Sequence, residues 1–103
     1  MSEEYQPRYK WRQTWPEKGE DYECVWNGIS VGRIYRIIGG PQDRMWFWTQ
    51  YAHQDTPTRI PANSSGVIDG TARDAAKIVE EAFDAARERW GDPRPSPWPH
   101  NRR

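Results

Sequence analysis

The sequence predicts an α+β fold, in which a three-stranded antiparallel meander packs against one C-terminal helix in the order β-β-β-α. Residues 22–38 contain an Asn-Gly pair between two apolar-rich runs, and residues 71–90 carry apolar side chains at helical spacing. A shorter apolar run at residues 45–52 supplies the third strand. The chain has 103 residues, which is enough for one hydrophobic core and too few for two.

We divide the chain into an N-terminal arm, one folded domain and a C-terminal tail. The arm, residues 1–19, is expected to be partly flexible, although the alternation of residues 9–15 permits a fourth strand at the edge of the sheet. The single domain spans residues 20–91. Residues 92–103 hold four of the nine prolines, so we expect an extended or disordered tail.

Asn27 and Gly28 predict a tight β-hairpin. Both central positions of such a turn need a positive φ, which Asn and Gly adopt most readily. A two-residue turn places Cys24 opposite Val31. One face of the sheet is then expected to collect the following side chains and to lie under the helix: Tyr22, Cys24, Trp26, Ile29, Val31, Tyr35 and Ile37.

The third strand is expected at residues 45–52, after a run of turn-forming residues. Alternation places Trp46 and Trp48 on one side of this strand and Phe47 and Tyr51 on the other. The sequence does not decide the register, so either pair can face the helix.

A long loop and one helix complete the predicted domain. Residues 53–70 contain prolines, serines and glycines with little periodicity, which is typical of a long surface loop. The helix follows at residues 71–90, with Thr71 as its N-cap, answered by Asp74, and Gly91 as its stop signal. Its apolar stripe is mostly alanine, so it can approach a sheet that carries large side chains.

One helix can cover only one face of this sheet. Burying a large aromatic side chain contributes roughly 1.5–3 kcal/mol, a sizeable share of a total stability of about 5–15 kcal/mol. Two solutions stay open for the second face. The N-terminal arm or the long loop folds over it as a lid, or the face is a docking surface for a protein, a second copy or a nucleic acid.

The predicted contact residues are arginines and neighbouring indoles, because Arg and Trp supply much of the binding energy at protein interfaces. The chain contains twelve arginines and three lysines. We expect a non-enzymatic binding or regulatory module that contacts a protein partner or forms a homodimer. Its partner-binding residues are predicted to be Arg33, Arg36, Trp46, Trp48 and Arg59.

Two other functions are weighed against this one. Nucleic-acid binding through the same arginines is the first alternative, but 15 basic and 15 acidic residues leave no net positive charge to favour it. An enzyme with a loop-covered pocket is the second, less favoured alternative. The two histidines, His53 and His100, lie far apart and are expected to be exposed, so no metal and no cofactor is predicted. Cys24 is expected to be a small buried hydrophobe and not a nucleophile.

The composition predicts a cytoplasmic protein. With Cys24 as its one cysteine, the chain cannot form an intramolecular disulfide, which favours a reducing compartment. No apolar run approaches the roughly 20 residues that cross a bilayer, so no membrane association is expected.

The run GISVGRIYRI, the WFW strand and the alanine-rich closing helix look like small uncharacterised bacterial proteins in which an aromatic hairpin precedes a terminal helix. The strand and helix order also resembles the small DNA-binding domains of plant AP2-type factors and integrase arm-binding modules, whose sheet enters the major groove. This second resemblance covers about residues 20–91. It implies that Arg33, Arg36 and Arg44 would be the residues of a reading sheet.

Overall fold

The computed structural model describes residues 5–14, 20–53 and 64–93. These residues form one antiparallel sheet of five strands, in which each strand pairs with its neighbour in sequence, and one helix. The elements are β1 Lys10–Gln13, β2 Asp21–Trp26, β3 Ile29–Arg36, β4 Trp46–Gln50, β5 Ser64–Ile68 and α1 Ala72–Trp90. The predicted α+β class, antiparallel sheet and C-terminal helix are confirmed.

The strand count is larger than the three or four predicted. β1 is the edge strand that the alternation of the N-terminal arm permitted, and it pairs with β2. β5 lies inside residues 53–70, which were predicted to be a loop, and it pairs with β4 along its whole length. Its Ser-Ser-Gly start has a low strand propensity, so pairing with β4 decides its structure. The predicted tail beyond Pro93, and Arg59 with its neighbours, lie outside the described residues.

The predicted hairpin forms, but a β-bulge changes its register. Asn27 and Gly28 make the turn, with φ values of 50° and 79°. The pairing then shifts by one residue in the middle of β2, so that Cys24 lies opposite Gly32 and not opposite Val31. Beyond the bulge every side chain of β3 is on the opposite face from the one that simple alternation predicts.

Tyr35 shows the consequence of the bulge. It pairs with Asp21 of β2 and Phe47 of β4, so these three side chains share one face. The buried core residue Ile34 lies on the other face, opposite Tyr22 and Trp48. The prediction that Tyr35 lies under the helix is therefore wrong, and the bulge is the physical reason.

The helix α1 packs across β2, β3 and β4. We call the face beneath α1 the covered face and the opposite one the outer face. The closest approach is at Gly32, where a Cβ atom would lie 2.5 Å from Val79 Cγ1, so only glycine fits there. The core on this face consists of Cys24, Val31, Ile34, Trp46, Ala52, Ala75, Ala76, Val79 and Phe83.

The ends of α1 follow the sequence. The Thr71 side chain accepts a hydrogen bond from the Asp74 amide at 3.1 Å, and Asp74 Oδ2 accepts one from the Thr71 amide at 3.0 Å. This reciprocal pair is the predicted capping box. Gly91 follows Trp90 with a φ of 87° and ends the helix.

A buried carboxylate holds the N-terminal segment against α1. Glu80 is fully buried and accepts hydrogen bonds from the backbone amides of Arg8 and Tyr9, at 3.0 and 3.1 Å. It also accepts from Trp11 Nε1 at 2.9 Å and from the Tyr5 hydroxyl. These four donors replace the water that an ionised carboxylate loses on burial. Residues 5–11 therefore lie beside α1 and do not form a lid over the outer face.

Candidate functional site

The structure divides the predicted contact residues between the two faces. In the register of β4, Trp46 and Trp48 point toward the covered face, and Phe47 lies on the outer face with Tyr35. Trp46 is 3 % exposed, which leaves it almost no surface to offer a partner. Trp48 packs over Gly66, where a Cβ atom would lie 2.9 Å from the indole Nε1. Trp46 is thus a core residue, and Trp48 is a partly buried residue that packs against the core.

Two predicted residues, Arg33 and Arg36, line one concavity at the end of the sheet opposite the Asn27–Gly28 turn. Its volume is about 470 Å³. We call it the Arg33–Arg36 concavity, and its lining residues are Glu20, Asp21, Arg33, Tyr35, Arg36 and Ile38. The remaining predicted residue, Arg59, lies outside the described part of the chain.

Arg33 is held in place by a bidentate ion pair. Its Nε donates to Asp21 Oδ1 at 2.8 Å and its Nη2 donates to Asp21 Oδ2 at 2.6 Å. The hydrogen bond to this carboxylate raises the pKa of Arg33. The guanidinium also lies over the Tyr35 ring, 5.2 Å from its centroid. Arg33 is therefore a preorganised wall of the concavity.

Arg36 is held less completely. Its Nη1 donates to Glu20 Oε2 at 3.0 Å, and the two side chains are 31 % and 49 % exposed. The guanidinium also lies over the Trp46 ring at 5.6 Å, while its buried Nε has no hydrogen-bond acceptor. An exposed single-bond pair contributes little to stability and exchanges partners easily. The Arg36–Glu20 pair is therefore held less firmly than the Arg33–Asp21 pair.

Ile38 gives the rim of the concavity an apolar contact point. Ile38 is 80 % exposed, and among the described residues no other large hydrophobic side chain is classed as exposed. The connection from β3 to β4 is fixed by hydrogen bonds from the Ile37 amide to the Met45 carbonyl and from the Arg44 amide to the Ile37 carbonyl, each 2.8 Å long. Ile38 is thus presented on an ordered backbone.

The concavity involves both faces at this end of the sheet, because Arg33 and Tyr35 lie on the outer face whereas Arg36 pairs with Trp46 of the covered face. The rest of the outer face mixes rings with ion pairs. Tyr35 and Phe47 stack with their centroids 5.0 Å apart. Arg12 Nε donates to the buried Glu23 carboxylate at 2.6 Å, and Ser30 Oγ lies 2.7 Å from the Tyr51 hydroxyl. The face is therefore not the continuous aromatic patch that the sequence left open. Of its partly exposed rings, Tyr35 lines the concavity and Phe47 stacks on Tyr35, whereas Tyr51 lies nearer the hairpin turn.

The cysteine and the described histidine, the side chains most often used in catalysis, are both buried in this fold. Burial raises the pKa of the Cys24 thiol to about 12, so it is protonated at neutral pH and behaves as the predicted buried hydrophobe. His53 is buried, contrary to the expectation of an exposed histidine, and its Nε2 lies 2.7 Å from the Gly91 carbonyl at the end of α1. His100 falls outside the described residues. Within the described ranges, no His, Cys, Asp and Glu side chains group to hold a metal ion.

Sequence reasoning missed four lining residues of the concavity: Glu20, Asp21, Tyr35 and Ile38. Glu20 and Asp21 could have been found from the sequence. If the pairing of the hairpin is continued away from its turn, these two residues come close to the arginines of β3. Tyr35 was missed because the bulge moves it to the face opposite the one predicted. Ile38 carries a weaker signal, as an apolar residue directly before two glycines.

Comparison with protein-family models gives no match, and the comparisons with curated proteins and with solved structures give none either. The resemblances drawn from the sequence therefore stay predictions. In the part of the chain that the structure describes, no helix combines the length and the apolar character needed to cross a bilayer.

Proposed function

We propose that this chain is a small non-enzymatic binding module that contacts another protein through the Arg33–Arg36 concavity and the rings beside it. The observation that carries the proposal is the position of Ile38, an 80 % exposed isoleucine at the rim of a concavity walled by two arginines and Tyr35. Protein interfaces combine an apolar centre with Arg and aromatic anchors in this way.

The charges at the site favour a protein over a nucleic acid. Arg33 and Arg36 contribute two positive charges, and Asp21 and Glu20 contribute two negative ones, so the lining residues sum to zero. A phosphate would have to compete with these carboxylates for the guanidiniums. Nucleic-acid sites instead present an excess of positive charge.

The size of the site favours a transient contact. Among the described residues, Ile38 is the large hydrophobic side chain that stands exposed, which is little apolar surface beside the roughly 800 Å² per partner of a stable, specific interface. We place this contact in the cytoplasm, since the single cysteine, Cys24, cannot form an intramolecular disulfide.

Site-specific photo-crosslinking tests the proposal. A benzophenone amino acid is introduced at Ile38 in one variant and at the exposed Glu81 of α1 in a matched control, and both are irradiated in the native host. We expect a discrete protein adduct from position 38 that is absent from position 81. Equal adducts from both positions, or none, would overturn the proposal.

A nucleic-acid partner gives a different result in the same experiment. The position-38 adduct would then be sensitive to nuclease, and binding of random-sequence DNA to the purified protein would weaken steeply with added salt. A nuclease-resistant adduct, together with no binding of random-sequence DNA, supports a protein partner.

A further inference from the structure

The Arg33–Arg36 concavity has a protruding isoleucine and a recess side by side. Ile38 lines the recess and is also 80 % exposed, so it projects from the rim. A two-fold axis beside the rim would bring each protrusion to the recess of the other copy, because an isologous interface pairs residue i with j and j with i. A surface of this shape is complementary to itself.

The charges of the recess are complementary to themselves as well. Glu20 and Arg36 form one exposed pair, and Asp21 and Arg33 form a second pair whose carboxylate is 8 % exposed. Two such sites facing each other across a two-fold axis can place acid against base on both sides. The Glu20–Arg36 pair is the one that can exchange, since its members are 49 % and 31 % exposed.

The protruding side chain is preorganised. The turn that carries it is closed by a hydrogen bond from the Gly39 amide to Asp43 Oδ1, at 2.6 Å, and by the pairing of Ile37 with Met45 and Arg44. Little backbone freedom is lost when Ile38 enters a recess, so a small contact can still produce a measurable affinity.

We propose that the occupant of this concavity is a second copy of the same chain, with Ile38 of each copy in the recess of the other and with Glu20 and Arg36 paired across the axis. The inference rests on the proposed function and names its partner. It requires a weak, concentration-dependent dimer, because Ile38 is the large apolar side chain that each copy exposes at this site.

Sedimentation equilibrium of the full chain, at concentrations up to about 1 mM, measures this dimer. Ile38→Asp places a charge at the centre of the contact and should weaken dimerisation by at least about tenfold. Gln42→Asp adds the same charge to the same exposed turn, outside the concavity, and should leave the dimer unchanged. A monomer at every concentration, or a dimer that both variants affect equally, would overturn the inference.

A charge-reversal pair tests the ion pairs separately. Glu20→Arg leaves two positive charges at the rim and Arg36→Glu leaves two negative ones, so each variant should be monomeric alone. Their equimolar mixture should associate at least about tenfold more tightly than either variant alone. A mixture that stays monomeric while the native chain dimerises would contradict the pairing across the axis.

The two proposals fail in distinguishable ways. If the native chain is monomeric but position 38 still crosslinks to a different protein, the binding function stands and the self-pairing is wrong. If the dimer forms through Ile38 and no other partner is found, the second copy is the protein partner.

Discussion

The two faces of the sheet use aromatic residues differently. On the covered face, rings from the sheet and the N-terminal segment converge on α1, with Phe83 5.3 Å from the Tyr9 ring and 6.0 Å from the Trp26 ring. On the outer face the rings are fewer, and ion pairs such as Arg33–Asp21 and Arg12–Glu23 lie between them. The apolar core lies on the first face, and the second face carries ion pairs between its rings.

The covered face takes up four of the seven tryptophans of the chain. Trp11, Trp26, Trp46 and Trp48 all pack with the covered face or its core. On the outer face, arginine side chains cover the carboxylates of Glu23 and Asp21 and balance their charges. These ion pairs also limit the apolar area that the face exposes. Ile38 differs from these residues, because its apolar side chain is 80 % exposed.

The largest expected effect comes from the centre of the covered face. Phe83→Ala should lower the free energy of unfolding by about 3–5 kcal/mol, because it leaves a cavity between α1 and the sheet. Phe47→Ala, which removes a partly exposed ring from the outer face, should cost about 1 kcal/mol. Urea unfolding of the two variants measures both values. If both variants lost the same free energy of unfolding, the two faces would not differ in their contribution to stability.

The next effect concerns Glu80. Glu80→Gln keeps the size of the side chain but turns one acceptor into a donor that faces N–H and O–H groups, so the free energy of unfolding should fall by about 2–3 kcal/mol. Hydrogen exchange at the Arg8 and Tyr9 amides should accelerate with it. Glu81→Gln, one position along on the exposed side, is the control and should change stability by less than about 0.5 kcal/mol.

A smaller effect separates the two arginines of the concavity. Arg33→Lys loses the bidentate geometry with the buried Asp21 carboxylate and should lower the free energy of unfolding by about 1 kcal/mol. Arg36→Lys replaces a single exposed hydrogen bond and should stay within about 0.5 kcal/mol. The reverse order would show that Arg36 and not Arg33 is the structural wall of the concavity.

The smallest effect appears at alkaline pH. Burial, and then the hydrogen bond to Asp84, raise the pKa of Tyr9 above its usual value near 10. A pKa that is higher in the folded state means that the contribution is complete below about pH 10 and is lost as the pH rises through the folded value. Tyr9→Phe should therefore show less loss of stability between pH 9 and pH 11 than the native chain, by urea unfolding at each pH.

The elements that could be predicted from the sequence are those set by local chemistry. The helix follows from its apolar spacing together with Thr71 and Gly91, and the hairpin turn follows from Asn27 and Gly28. The bulge was missed because simple alternation assumes an uninterrupted ladder, although Gly32 inside the strand pattern is a local signal for a bulge. β5 was missed because pairing with β4, and not its own propensity, makes it a strand.

The candidate site shows the same limit. Arg33 and Arg36 were predicted from residue type, and the structure brings them to one concavity. The orientation of Trp46 and Trp48 could not be predicted, because a period of two fixes which side chains share a face but not which face is buried. A shift of one residue would have exposed both indoles.

Hydroxyl-radical footprinting tests most directly whether the outer face is available for contact. We predict that Tyr35 and Phe47 are oxidised readily in the native chain, while their covered-face counterparts Trp46 and Phe83 are protected to the level set by global unfolding. If Tyr35 and Phe47 were as protected as Trp46 and Phe83, the outer face would already be covered, and the proposed contact surface would be contradicted.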